Sequence, residues 1–365
     1  MKLKLTAAEL FGGGGGLSLG LKQAGFQVYA AVDTDPDACA TYKANHPDVH
    51  VFRQDIRTIK GADILAHCPG GSIDLLAGCP PCQGFSSLTS KLKRSDPRNL
   101  LVLEMARIIE ETMPSCVMLE NVPGLALGGK PLFEEFLRRL RNAGFMPTWS
   151  ILQVADYGVP QSRRRLVLVA GHGFEVKLPT ATYSNNPASN LKPWKTISSV
   201  IRGMPAPKTL LEVGGPKQAS TVNWHVVRNM KPATLRRIKA AQPGKNWRKI
   251  PKRLRPACHQ DKNAGFSNVY GRMRWNQVSV SITSGCTTFS MGRFGHPKED
   301  RTISVREAAM LQTFPKNYII DAQSMEAACT IIGNALPVVF AKRVSRECIK
   351  AIASARNQEA SKTRK

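Results

Sequence analysis

Leu3-Lys4-Leu5-Thr6-Ala7-Ala8-Glu9-Leu10-Phe11-Gly12-Gly13-Gly14-Gly15-Gly16, running into Leu17-Ser18-Leu19-Gly20-Leu21-Lys22-Gln23-Ala24, is the stretch that decides the fold class. A short apolar run (Leu3 to Leu10) reads as a strand, the glycines as a tight loop, and Leu17 to Ala24 as a helix. Glycines at such a junction let the backbone turn sharply and approach a ligand closely. No Gly-Lys-Ser/Thr follows, so this is not a nucleotide P-loop, and no register of the glycines fits the dinucleotide pattern GxGxxG. The pattern it fits is Phe11-x-Gly13-x-Gly15-Gly16. Twenty residues past Gly13, at the end of a second apolar run (Val28 to Val32), stands Asp33, placed to accept hydrogen bonds from ribose hydroxyls. Asp55, after Val51 to Gln54, is placed to read an adenine amino group. A glycine run by itself is a flexible turn. The order strand, glycine loop, helix, strand, acid favours a nucleoside cofactor.

Outward from this unit the alternation continues. Ile73 to Ala77, Cys116 to Leu119 and Arg165 to Ala170 read as strands; Cys39 to Asn45, Leu100 to Met113 and Leu132 to Ala143 read as helices. The expected fold is α/β, a mostly parallel sheet with helices on both faces. The character changes after Pro179. Residues 180–300 carry 21 Lys and Arg against 4 acids, a net of +17 within a chain total of +26. Four of the five tryptophans (Trp194, Trp224, Trp247 and Trp275) fall there too. Basic charge interleaved with aromatics suits a nucleic-acid-facing module, while a solvated insertion with tryptophans in its own small core is the plainer alternative. The division expected is 1–178 with 301–353 as a catalytic domain, 179–300 as a recognition domain, and 354–365 as a basic, flexible tail.

Asp74-Leu75-Leu76-Ala77-Gly78-Cys79-Pro80-Pro81-Cys82-Gln83-Gly84-Phe85-Ser86 reads as a strand followed by a rigid turn. Cys79 and Cys82 form a C-x-x-C, but no second such pair accompanies them, so no metal site is expected. A thioredoxin-like pair would open a helix. The third reading is a nucleophilic thiol, Cys82, held by proline at the sheet's carboxyl edge, where open α/β sheets bind ligands.

Six motifs occur in order: Phe11-x-Gly13-x-Gly15-Gly16, Pro81-Cys82-Gln83, Glu120-Asn121-Val122, Gln161-x-Arg163-x-Arg165, Arg306-Glu307-Ala308-Ala309 with Gln312-x-Phe314-Pro315, and Gly333-Asn334-Ala335. Together they resemble the cytosine-C5 methyltransferase family, over residues 8 to about 175 and about 300 to 345. The resemblance implies an enzyme that takes a methyl group from S-adenosylmethionine to C5 of cytosine in double-stranded DNA. It implies Cys82 as nucleophile, Glu120 at the cytosine N3, and Arg163 and Arg165 at O2 and the nearby catalytic loop. The two arginines are expected on one strand face, with Arg164 opposite. By the same resemblance Phe11, Gly13, Gly16, Asp33, Asp55, Pro81, Leu101 and Asn334 line the cofactor pocket, and the helix after Pro337 packs back beside the first strand. A cognate restriction endonuclease is the implied partner, and a monomer the expected state.

Glu9 stands where the family commonly has Asp, Asp33 where Glu is frequent, and Ile331 where Gln is common. Five consecutive glycines exceed what the motif asks, so a loose loop is expected. A branch of the family acting on tRNA carries Cys-Phe-Thr in its recognition region; here Cys286 is followed by Thr287, Thr288 and Phe289. A non-catalytic DNA-binding protein on the same fold is a further alternative, against which intact Cys82, Glu120 and Arg165 argue. No run of eighteen apolar residues occurs, and the nine cysteines are odd in number and scattered, so a reduced, cytoplasmic protein away from membranes is expected.

Overall fold

Seven strands build one sheet: Thr6–Leu10 (β1), Gln27–Asp33 (β2), His50–Arg53 (β3), Leu75–Gly78 (β4), Cys116–Asn121 (β5), Phe145–Gln153 (β6) and Arg164–His172 (β7). Their order is β3-β2-β1-β4-β5-β7-β6. The first five pair in parallel, and β7 and β6 close the edge antiparallel. The computed structural model describes residues 5–81, 97–260 and 266–362.

All six residues of β5 are buried, as a central strand covered on both faces demands. Alternate residues serve the two faces. Val117 and Leu119 join Leu10, Val32 and Leu76 in a core closed by Met105 and Phe136. These last two lie on the helices Leu101–Thr112 and Lys130–Asn142. The chain order after β1 runs to β2 and β3 on one side, then crosses to β4 and β5 on the other. That reversal opens a crevice at the carboxyl ends of β1 and β4. The helices in chain order are Gly16–Ala24 (α1), Pro36–Asn45 (α2), Gly61–Leu65 (α3), Leu101–Thr112 (α4), Gly124–Leu127 (α5), Lys130–Asn142 (α6), Ser198–Ile201 (α7), Pro216–Thr221 (α8), Pro232–Ala240 (α9), Val305–Leu311 (α10), Met325–Asn334 (α11) and Val338–Lys362 (α12). Helix α2 starts where Asp35 accepts from Ala38 N at 2.8 Å, with Pro36 in the first turn.

Helix α12 packs on α1, which contacts β1, and Cys348 reaches Cys116 of β5. Gly20 makes the close approach possible: a Cβ there would lie 2.5 Å from Ala341 Cβ and 2.9 Å from the Val338 carbonyl oxygen. Gly20→Ala is therefore expected to destabilise the fold by about 1–3 kcal/mol, since neither backbone can yield cheaply. Urea denaturation with an unchanged midpoint would contradict this packing. The tail expected to be flexible is helical as far as Lys362, as the last turns of α12. Ala, Arg, Gln, Glu and Lys are good helix formers, and Arg356 pairs with Asp74.

Contacts group residues 1–157, 164–182 and 336–365 into one unit, and 158–163 with 183–335 into a second. Residues 305–334 thus join the second unit, whereas the boundary expected from sequence placed them with the first. Arg306 N donates to the Trp224 carbonyl at 3.1 Å, and Trp224 Nε1 to that of Ile320 at 3.0 Å. The second unit has little regular structure and is stapled by buried side chains. Trp224 and Trp247 are fully enclosed. Buried Arg272 donates to the carbonyls of Ile238, Ala241 and His296 at 3.0 Å each. Part of the basic charge here is structural.

Candidate active site

The glycine loop at the end of β1 is pinned rather than loose. Gly12 N donates to the Val32 carbonyl at 2.9 Å and Gly15 N to that of Gly12 at 3.0 Å. Gly13 N donates to Asp33 Oδ2 at 2.7 Å. His46 Nε2 donates to the Gly15 carbonyl at 3.1 Å; burial lowers this imidazole to about 4, so it is neutral. These bonds offset part of the chain entropy that five glycines lose on ordering. Phe11 carries a positive φ of 58° and packs on the core. Gly13, at φ +51°, would aim a Cβ into open space. Its neighbour Gly12 is backed by Tyr42, 3.1 Å from where a Cβ would stand. The loop therefore has a packed side and an open side, as a cradle for a nucleoside needs. Asp33 at the end of β2 is oriented by Gly13 N and by Asp35 N at 2.9 Å, and burial raises its carboxyl. Gly16 opens α1 and is buried; Leu101 opens α4, half-buried.

Asp55 differs from its expected role in one respect. Its Oδ1 accepts from Arg57 N and Nε at 3.0 and 2.9 Å, and its Oδ2 from Arg57 Nη2 at 2.5 Å. The guanidinium pulls the carboxyl down to about 2. Any ligand contact shares this carboxylate with Arg57.

At the carboxyl end of β5, Glu120 is buried, and Arg165 of β7 sets Nε 2.7 Å from its Oε1, an ion pair rather than a well-aligned hydrogen bond. The pairing is a consequence of register: Glu120 lies opposite Val167, two residues from Arg165, on antiparallel neighbours. Asn121, which sequence reasoning passed over, donates from Nδ2 to the Pro80 carbonyl at 2.9 Å, fixing the turn after β4. Its place beside Glu120 in the Glu-Asn-Val motif was the available signal. Pro81 is half-buried at the end of the described stretch, and Cys82 lies outside the described residues. Cys79 has its thiol pushed well above the ordinary range by burial and by the neighbouring Glu120 and Glu9 carboxyls. A thiol so placed resists ionisation, so Cys79 is unsuited to be a nucleophile or half of a reactive pair.

Arg163 does not share a strand face with Arg165. Strand β7 begins at Arg164, and Arg163 belongs to the second unit, buried there. Its Nη1 donates to the carbonyls of Ile282 at 2.6 Å and Gly333 at 3.2 Å. Gln161 joins the same knot, donating to Gln312 Oε1 at 2.8 Å and accepting from Ile282 N at 2.9 Å; Gln312 in turn donates to the carbonyls of Ile332 and Ala335. Three sequence motifs thus meet in one polar cluster. Gly333 is required where it stands, because a Cβ would fall 2.2 Å from the Thr283 carbonyl carbon. Asn334 ends α11 with its side chain exposed. The second unit also bears a cleft of about 880 Å³ edged by Asn185, Asn268, Asn276, Gln277, Trp194 and Arg293.

Residues 5–350 match the family model for the C-5 cytosine-specific DNA methylase. The chain is 34% identical to the Type II methylase M.HgiDII of Herpetosiphon aurantiacus, over 93% of each chain. It is 32% identical to the Type II methyltransferase M1.BsuMI of Bacillus subtilis, over 91% of this chain and 78% of that one. Among solved structures it resembles a prophage-encoded E. coli protein described as a DNA modification methyltransferase, with a TM-score of 0.72 at 20% identity over 96% and 99% of the two chains. It also resembles the S. pombe Dnmt2 methyltransferase, with a TM-score of 0.66 at 18% identity over 95% and 99%. With a family model spanning nearly the whole chain and relatives matched over most of their length, the chain belongs to the C-5 cytosine-specific DNA methylase family.

Proposed function

We propose that the chain methylates C5 of a cytosine rotated out of duplex DNA, through a covalent bond from Cys82 to C6. The observation that carries this is the buried Glu120–Arg165 pair. It sits at the end of the strand whose Asn121 holds Pro80, two residues before Cys82. A stacked cytosine is out of reach of such groups, so the base must leave the helix. Cytosine C5 is too weak a nucleophile to accept an electrophilic methyl. A Cys82 thiolate adding at C6 makes C5 enamine-like and reactive. Charge then moves toward N3 and O2, where Glu120 holds or donates a proton and Arg165 supplies fixed positive charge in a water-poor setting. Loss of the C5 proton and expulsion of the Cys82 sulfur complete the cycle. Arg163, bound to backbone carbonyls, acts by holding the 282 and 333–335 segments in place.

S-adenosylmethionine, when bound, supplies the activated methyl on a sulfonium sulfur. Phe11, Gly13 and Gly16 would cradle it, with Asp33 at the ribose, Asp55 at the adenine, and Pro81 and Leu101 completing the pocket. Residues 179–300 are the DNA-reading part of this proposal, supported by the +17 charge and by the amide-lined cleft, since Asn and Gln pair with adenine edges and Arg with guanine. The Type II names of the relatives support a partner endonuclease that cuts the same site.

The test is incubation with duplex DNA of mixed sequence containing 5-fluorocytosine, with S-adenosylmethionine present. Fluorine cannot leave as a proton does, so an adduct that survives denaturation and needs the cofactor is expected. No adduct on DNA, with methylation found on RNA, would sink the substrate assignment. Binding of the full chain to duplex DNA is also expected to weaken steeply with salt, by about 10³–10⁵ between 50 and 200 mM if six to ten phosphates are contacted. A flat salt response would contradict a phosphate-bound recognition surface.

A further inference from the structure

Beneath the glycine loop lies a buried acid that the mechanism above does not use. Glu9, the penultimate residue of β1, is 1% exposed. Its Oε2 accepts from Ser18 N at 3.1 Å, from the Ser18 hydroxyl, and from the Tyr42 hydroxyl at 3.2 Å. The Ser18 and Tyr42 hydroxyls bond each other as well. Ser18 is in the first turn of α1, directly after the loop. Tyr42 comes from α2, its ring against Gly12 and 4.9 Å from that of His46, which bonds the Gly15 carbonyl. One carboxyl thus ties together the strand before the loop, the helix after it and the side chains backing it.

The surroundings make an ionised carboxyl costly. Burial outweighs the three donors and pushes Glu9 up to about 8. The other titratable groups facing it are Tyr42 from α2, Asp33 at the end of β2, which raises it further, and Cys79 beyond β4. An uncharged carboxyl there can keep its hydrogen bonds without a counter-ion; an ionised one gains by letting water in.

We propose that Glu9 is a positioning residue for cofactor binding: its buried carboxyl holds Ser18 and Tyr42 against the glycine loop, and ionisation, which favours admitting water beneath the loop, opens that packing and weakens nucleoside binding. This rests on reading that loop as the cofactor's cradle. By linkage, affinity falls as pH rises through the Glu9 titration, to about tenfold weaker at pH 9 than at pH 7 if only the neutral form binds well.

The experiment is calorimetric titration of the full chain with S-adenosylhomocysteine from pH 6.5 to 9.5. The ligand's own amine titrates alike for every variant, so the readout is the difference from Glu9→Gln, which cannot ionise. Wild type is expected to lose about tenfold relative to Glu9→Gln between pH 7 and 9. Glu9→Ala should bind about tenfold or more weakly at every pH, because Ser18 and Tyr42 lose their acceptor. Parallel pH curves for wild type and Glu9→Gln would overturn the proposal, as would wild-type affinity in Glu9→Ala. Should Glu9→Ala fail to fold, Ser18→Ala and Tyr42→Phe decide: unchanged affinity in both overturns it. If wild type binds no S-adenosylhomocysteine, the cradle reading falls first and takes this inference with it.

Discussion

Cys82→Ala is expected to abolish methyl transfer to DNA, by on the order of 10⁴-fold or more, while S-adenosylhomocysteine still binds. The size follows from the chemistry: without a sulfur to add at C6, no alternative makes C5 nucleophilic, and removal of a nucleophile takes out a whole covalent route rather than one interaction. The adduct with 5-fluorocytosine must vanish in the same variant. Cys79→Ala is the informative contrast. Its thiol is held protonated by burial and by the Glu120 carboxylate, so this change should leave adduct formation in place. An adduct persisting in Cys82→Ala and lost in Cys79→Ala would reverse the assignment of the nucleophile. A redox role for the C-x-x-C pair predicts no adduct even in the wild type.

Much of the first unit was legible from residue pattern, because parallel strands and their covering helices write strong signals. Val28 to Val32 and Cys116 to Leu119 were read as strands and lie within β2 and β5. Leu17 to Ala24 and Leu100 to Met113 were read as helices and correspond to α1 and α4. Strand β6 was not read. It sits at the sheet edge with most of its residues half-buried or exposed, so Phe145 to Gln153 shows no run of apolar residues. Helix α11 was not read, although Met325, Ala328, Cys329 and Ile332 are buried and recur at helical spacing. In the site, Glu120 and Arg165 were named from sequence, yet their pairing depends on the antiparallel register of β5 with β7, which no local pattern encodes. Arg163 was misplaced because alternation along a strand was extended one residue beyond the strand's start. The second unit was legible mainly as charge. Its order comes from long-range bonds such as those of Arg272, which reach 24 to 34 residues along the chain.

Glu120→Gln should cut turnover by about 10²–10⁴-fold, the usual worth of a positioned proton donor, with little change in cofactor affinity. Arg165→Met tests the other half of the pair and should behave differently. It leaves Glu120 buried without its counter-charge, which destabilises a fold by about 3–5 kcal/mol when one partner of a buried pair is removed. The native stability of such a domain is about 5–15 kcal/mol, so this is a large fraction of it. Combining Glu120→Gln with Arg165→Met removes both charges together, and much of the lost stability should return, because the remaining amide no longer needs an ion opposite it. Activity should not return, since the proton donor and the fixed positive charge are both gone. Thermal unfolding and single-turnover methylation of the two single variants and the double variant separate these effects. If the pair served only the fold, the double variant would recover turnover along with stability. If instead stability returns while turnover stays lost, the same 2.7 Å contact both tolerates burial in the sheet and supplies the charge that the reacting cytosine needs.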